Sequence, residues 1–195
     1  MVVDELSIHP LIQVCHLADR VELSAGALTE GQLQWSIKNA VPGESGELKP
    51  SENPERDQTY HPGPLVDGKT YVIDEVEVKN TRTGGTRSMY VLVLQKPPMV
   101  AVKIANMDVA QGRVELEATI NGRPVAPGKG EWRMPLAGQG TIDKVTGLYR
   151  ADPAALTRFA LMLFEYEAEF GLYEGHMILP LPLAEFPQWL EVMTK

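Results

Sequence analysis

The chain has a single cysteine, Cys15, so no internal disulfide can form, and that usage fits a reducing compartment. Long hydrophobic runs are missing as well. The longest apolar window, around Ala160–Phe164, is far too short to span a bilayer. The opening residues, MVVDEL, are acidic and lack the basic region and apolar run of a secretory signal. Together these absences point to a soluble, cytoplasmic protein. Basic residues are in deficit, giving a formal charge of −8, which argues against nucleic acid or an anionic membrane as a partner. The deficit is uneven, since residues 151–195 hold seven acids against two bases.

Catalytic signatures are also scarce. There is no CxxC, HxxxH or GxSxG, and the glycine pairs Gly128–Gly130 and Gly138–Gly140 belong to no phosphate-cradling motif, so they read as turns. His9, Cys15 and His16 lie close in sequence and all can ligate zinc, but they fall short of a four-ligand set, so structural roles are expected. Four scattered histidines do not assemble a nucleophile-and-base triad. Of them, His61 lies in the polar stretch expected to be exposed, where catalytic loops are found. No internal repeat and no low-complexity tract is present.

What the chain does have is 44% hydrophobic and 23% charged residues, ordinary for a globular protein. At 195 residues it can bury one substantial core or two small ones, and a single domain over 1–195 is the expectation. Fifteen prolines and seventeen glycines point to many turns. The clearest local signal is DPAALTRFALMLFEYEAEFG, residues 152–171. Asp152 suits an N-cap, Pro153 the first helical position and Gly171 a left-handed stop. Between them Leu156, Phe159, Leu163, Tyr166 and Phe170 recur at helical intervals, so the spacing predicts one long helix over about 153–170.

Elsewhere the pattern is β. Residues 7–23 fit helix or strand. Residues 29–40 lean to a strand, because Leu33, Trp35 and Ile37 alternate with polar residues. Residues 42–70 are polar and rich in proline and glycine, and read as a loop or an arm that orders on a partner. Strands follow at 72–78, 89–94, 100–105 and 114–120, the last closing on Asn121–Gly122, a strong hairpin signal. In MILPLPL (177–183), Pro180 and Pro182 mark an edge strand able to pair on one side. The expected fold class is therefore α+β: a mainly antiparallel sheet or open barrel of about six to eight strands, one long helix packed on it, and a proline-rich edge strand after that helix.

Two clusters carry the functional expectations. Glu165, Glu167 and Glu169 crowd the last turns of the expected helix, where the dipole disfavours acids and Glu165 repels Glu169. With Glu174 and His176 just beyond the stop, Glu165 and Glu169 form a candidate divalent-metal site, since a metal or a basic partner would offset that repulsion. The alternative is a solvated polar stripe, with no cofactor at all. Trp132, Arg133, Pro180, Pro182 and Trp189 form the expected interface set, since tryptophan and arginine favour protein contacts. The function expected is a non-catalytic interaction or assembly protein: a subunit, adaptor or inhibitor of a larger complex, with a protein partner or a homo-oligomer. The alternative is a small barrel-type enzyme or ligand-binding protein using the acidic and histidine cluster.

Overall fold

In the computed structural model, which describes residues 5–185, the chain divides into two compact units, Met1–Pro97 and Pro98–Lys195. Unit 1 holds eight strands: β1 (Leu6–His9), β2 (Ile12–His16), β3 (Val21–Ala27), β4 (Leu33–Lys38), β5 (Glu47–Pro50), β6 (Gln58–His61), β7 (Tyr71–Asn80) and β8 (Thr86–Leu94). They form two four-stranded sheets, in the orders β1-β3-β6-β5 and β2-β8-β7-β4. Every pairing is antiparallel except β2 with β8, which run parallel. The inward residues of β7 and β8, Val72, Val76, Val78, Met89, Val91 and Val93, are buried with Val21, Leu23 and Tyr60. That is the period-2 pattern read from the sequence, now seen to face a second sheet.

Unit 2 holds β9 (Val100–Asp108), β10 (Arg113–Ile120), β11 (Arg123–Pro124), β12 (Glu131–Arg133), β13 (Gly140–Ile142), β14 (Leu148–Ala151), β15 (Phe159–Ala168) and β16 (Gly171–Pro180). β9 pairs with β10 along its length. The other side of β10 is shared: β14 takes Arg113–Glu115, and the short β11 takes Thr119–Ile120 through the Asn121–Gly122 turn. The result is β9-β10-β14-β13, with β11 as an appendage, facing a sheet of order β12-β15-β16. Val114, Leu116, Tyr149, Trp132, Met162 and Phe164 fill the space between the two.

The expected α+β class is thereby corrected to all-β. The long helix over 153–170 is absent, and the only helical turn among the described residues is a 3-10 turn at Leu183–Glu185. Asp152 does cap a turn, but a non-helical one, its carboxylate accepting from the backbone N–H of Ala154 at 2.8 Å. Phe159–Phe164 is buried at every position, as a central strand covered on both faces must be. Gly171 pairs with Ala168 across a two-residue turn and opens β16 instead of closing a helix. β16 is an edge strand ending at Pro180, while Pro182 lies beyond it.

Residues 42–70 contain β5 and β6, both hydrogen-bonded into their sheet, and Tyr60 within them is fully buried at 0% exposure. The polarity of the segment belongs to its turns. Residues 7–23 hold β1, β2 and the start of β3, and 29–40 holds β4, all strands.

Candidate functional site

Corresponding strands of the two units stand in one order: β1-β3-β6-β5 against β9-β10-β14-β13, and β8-β7-β4 against β16-β15-β12. This is the order of immunoglobulin-type Greek-key sandwiches. In that architecture the loops at a sandwich end are the elements free to carry recognition, because the sheets fix their bases.

In unit 1 one such end is built around Asn80, the last residue of β7, which is fully buried at 0% exposure. Its side-chain N–H groups donate to Glu5 Oε1 at 3.2 Å and to the carbonyl of Thr29 at 3.0 Å. Its side-chain oxygen accepts from the N–H of Arg82 at 3.0 Å. One amide thus ties together the segment before β1, the β3–β4 connection and the β7–β8 turn. Further bonds reinforce the join: Leu28 N–H donates to the carbonyl of Glu5 at 2.9 Å, and Thr81 N–H to that of Gln32 at 3.0 Å. Gly31 is required where it stands, since a Cβ there would lie 2.1 Å from Asn80 Oδ1. The held surface displays Leu28, 70% exposed, with Thr29, Glu30, Arg82 and Thr83 also exposed. The exposed set is thus a leucine, hydroxyls and both charge signs on a fixed backbone, the mixed chemistry found at protein contacts.

The turn after β7 is legible in TRTGGTR (81–87), but the role of Asn80 is not. An asparagine before a glycine-bearing turn reads as turn chemistry in any exposed loop, and only its burial reveals the three-way role.

The expected site residues fall elsewhere. Glu165 and Glu174 are directly opposite on β15 and β16, and Arg133 on β12 makes an ion pair with Glu165. His176, two residues beyond Glu174, has Nδ1 3.8 Å from Glu174 Oε1. Glu169 sits in the hairpin turn, removed from the other three. The expected four-ligand convergence is therefore not formed. Among the described residues no set of three or more His, Cys, Asp or Glu side chains gathers closely enough to hold a metal.

Trp132, expected at an interface, is a core residue at 3% exposure, its ring 4.8 Å from that of Phe164. Pro180 is buried and Pro182 exposed, while Trp189 lies outside the described residues. His9 and Cys15 line one pocket of about 350 Å³ in unit 1 with Asp19, Arg20 and Arg56. His16 is exposed, on the opposite face of β2 from buried Cys15. Burial above all, then the charges of Asp19 and Asp74, pushes the Cys15 thiol up from 9.0 to about 12, so it supplies neither a ready nucleophile nor a thiolate ligand. His61 lies on β6, paired with Glu47 of β5, not in a free loop.

No family model matches this sequence, and no curated protein matches it. Solved structures similar to it include titin domains z1z2 in complex with telethonin, at 15% identity and TM-score 0.31, covering 92% of this chain and 98% of that one. Human Protocadherin-24 EC1-2 is similar at 10% identity and TM-score 0.33, covering 90% and 95%. Drosophila N-cadherin EC1-4 is similar at 9% identity and TM-score 0.35, covering 88% of this chain and 48% of that one. All three scores are below 0.5.

Proposed function

We propose that the chain is a non-catalytic interaction module that binds a protein partner through the Asn80-held loop end of unit 1. The observation that supports this reading most is a buried side chain spent on loop geometry. Asn80 gives up solvent to fix three separate segments, and the surface so fixed carries Leu28 at 70% exposure. Ordering loops in advance lowers the entropy cost of binding, which is where such an investment brings a return. A surface leucine on a mobile loop would carry no such meaning.

The test compares wild type with Leu28→Asp and, as a control in unit 2, Val145→Asp, Val145 being 51% exposed in a turn between β13 and β14. A protein recovered on wild type from the native host is purified and its affinity measured for all three. Loss of at least tenfold for Leu28→Asp, with the control unchanged, supports the reading. Equal binding by all three rejects it.

A further inference from the structure

We propose that β4 is a self-pairing edge, through which two copies of this chain join their sheets into one. It is a different surface from the loop end above. β4 pairs with β7 on one side, and among the described residues no strand pairs with its other side. Asn80 N–H donates to Gly85 O within the β7–β8 hairpin, whereas Thr81 N–H donates to Gln32 O. Antiparallel alternation then turns the backbone groups of Gln34, Ser36 and Lys38 toward β7, and those of Leu33, Trp35 and Ile37 outward.

Exposed rows of this kind are normally blunted, and other edges in the molecule are. β1 is four residues long and stops at Pro10, β5 is four residues ending in Pro50, and β12 and β13 have three residues each. β16 ends at Pro180, and the pairing of β9 shifts register at Glu115/Leu116. β4 has six residues, LQWSIK, in unbroken register with β7. It has no proline or glycine, and one charge, Lys38, at its end. β2, the other edge of that sheet, also lacks proline and glycine but has five residues, so β4 is the longest edge strand among the described residues without proline, glycine or a register shift.

The occupant follows from register. Two copies related by a two-fold axis through the sheet keep like faces together when a residue meets itself, and the two registers centred on β4 put Trp35 opposite Trp35 of the second copy or Ser36 opposite Ser36. With Trp35 on the axis, Leu33 meets Ile37 on the core side and Gln34 meets Ser36 on the exposed side. Lys38 falls opposite Gln32, so no like charges face each other. Every outward N–H and C=O of Leu33, Trp35 and Ile37 is then paired, about six bonds across the seam. With Ser36 on the axis, Leu33 would instead face Asn39, whose φ of 52° takes it out of the strand. The first register wins, and it sets an aromatic pair at its centre.

The experiment uses the full chain in sedimentation velocity across the micromolar range, with circular dichroism to confirm that each variant is folded. Gln34 and Ser36 are exposed, and Gln34→Glu/Ser36→Glu puts acids opposite acids twice across the seam; Ser36 also lies opposite Glu77 of β7, which is why the fold of the variant is checked first. The expected results are a wild-type dimer, at least tenfold weaker self-association of the acidic variant, and a mixed dimer when it is combined with Gln34→Lys/Ser36→Lys. A wild type that stays monomeric at every concentration overturns the proposal. So does a dimer indifferent to the acids. Leu28→Asp is expected to dimerise as wild type does, so failure here and failure of the loop-end reading are separately visible.

Discussion

A Cβ placed on Gly46 would lie 2.5 Å from Cζ of the Tyr60 ring and 2.3 Å from the carbonyl oxygen of His61. Unit 2 repeats the arrangement: a Cβ on Gly140 would lie 2.9 Å from Cε2 of Tyr149 and 2.3 Å from the carbonyl oxygen of Arg150. In each case a glycine, just before β5 or at the start of β13, lies against a fully buried tyrosine and the carbonyl of the residue after that tyrosine. Both hydroxyls are satisfied, Tyr60 donating to Asp74 Oδ2 and Tyr149 to the carbonyl of Gln139, each at 2.6 Å. Gly46→Ala and Gly140→Ala are each expected to cost about 2–3 kcal/mol, since backbone cannot yield as a flexible side chain can. Urea unfolding checks this, and a cost under about 0.5 kcal/mol for both would count against the shared close approach.

Alkaline stability provides a second test. Burial, with Asp152 adding to it, pushes the Tyr149 hydroxyl up from 10.0 to about 12, as burial does for the Cys15 thiol from 9.0 to about 12. Both acids are favoured neutral in the fold. Their contribution is therefore complete below the unfolded values and is lost as pH rises through the folded ones. The melting temperature is expected to hold to about pH 9 and fall between there and about pH 12. Native Cys15 should resist iodoacetamide at neutral pH and react once urea unfolds the chain; prompt native alkylation would contradict its burial.

Asn80→Ala should destabilise unit 1 by about 2–3 kcal/mol, because it leaves the carbonyl of Thr29 and the N–H of Arg82 without their amide partner. Amide hydrogen exchange is the sharper readout. Protection should fall at residues 28–32 and 81–85 together, whereas loss in the β7–β8 turn alone would mean that the three segments are not joined through this side chain.

Limited proteolysis can test the polar stretch. A glutamate-specific protease is expected to cut after Glu52 or Glu55, exposed in the connection between β5 and β6, before it cuts after Glu47 within β5. Cleavage spread evenly from residue 43 to 69 would show that β5 and β6 are not stably paired.

Several strands were readable, though not their arrangement as two sandwiches. β7, β8 and β10 announce themselves by alternation or by an apolar run, and Asn121–Gly122 takes the two positive φ values, 50° and 75°, that its hairpin requires. Trp132 was not readable: it stands in a glycine-rich stretch in which Gly147 clears room for its ring in a core. Nor was the equivalence of the two units, because Trp35 and Trp132 occupy corresponding strands with no shared spacing around them.

Residues 152–171 show where sequence stops deciding. By itself the sequence marked Phe159–Phe164 as a buried apolar run, Asp152–Pro153 as a helix start and Gly171 as a left-handed helix stop; the burial and the positive φ of Gly171, 124°, hold, and the helix does not. Each signal serves a helix and a strand equally well, since a short apolar run has no period of its own. Tertiary structure decided between them. Gly171–Pro180 and Glu131–Arg133 supply hydrogen-bonding edges on both sides of Phe159–Ala168, and the facing sheet covers Ala160, Met162 and Phe164. A helix would have satisfied its own backbone and left those two edges without a strand between them.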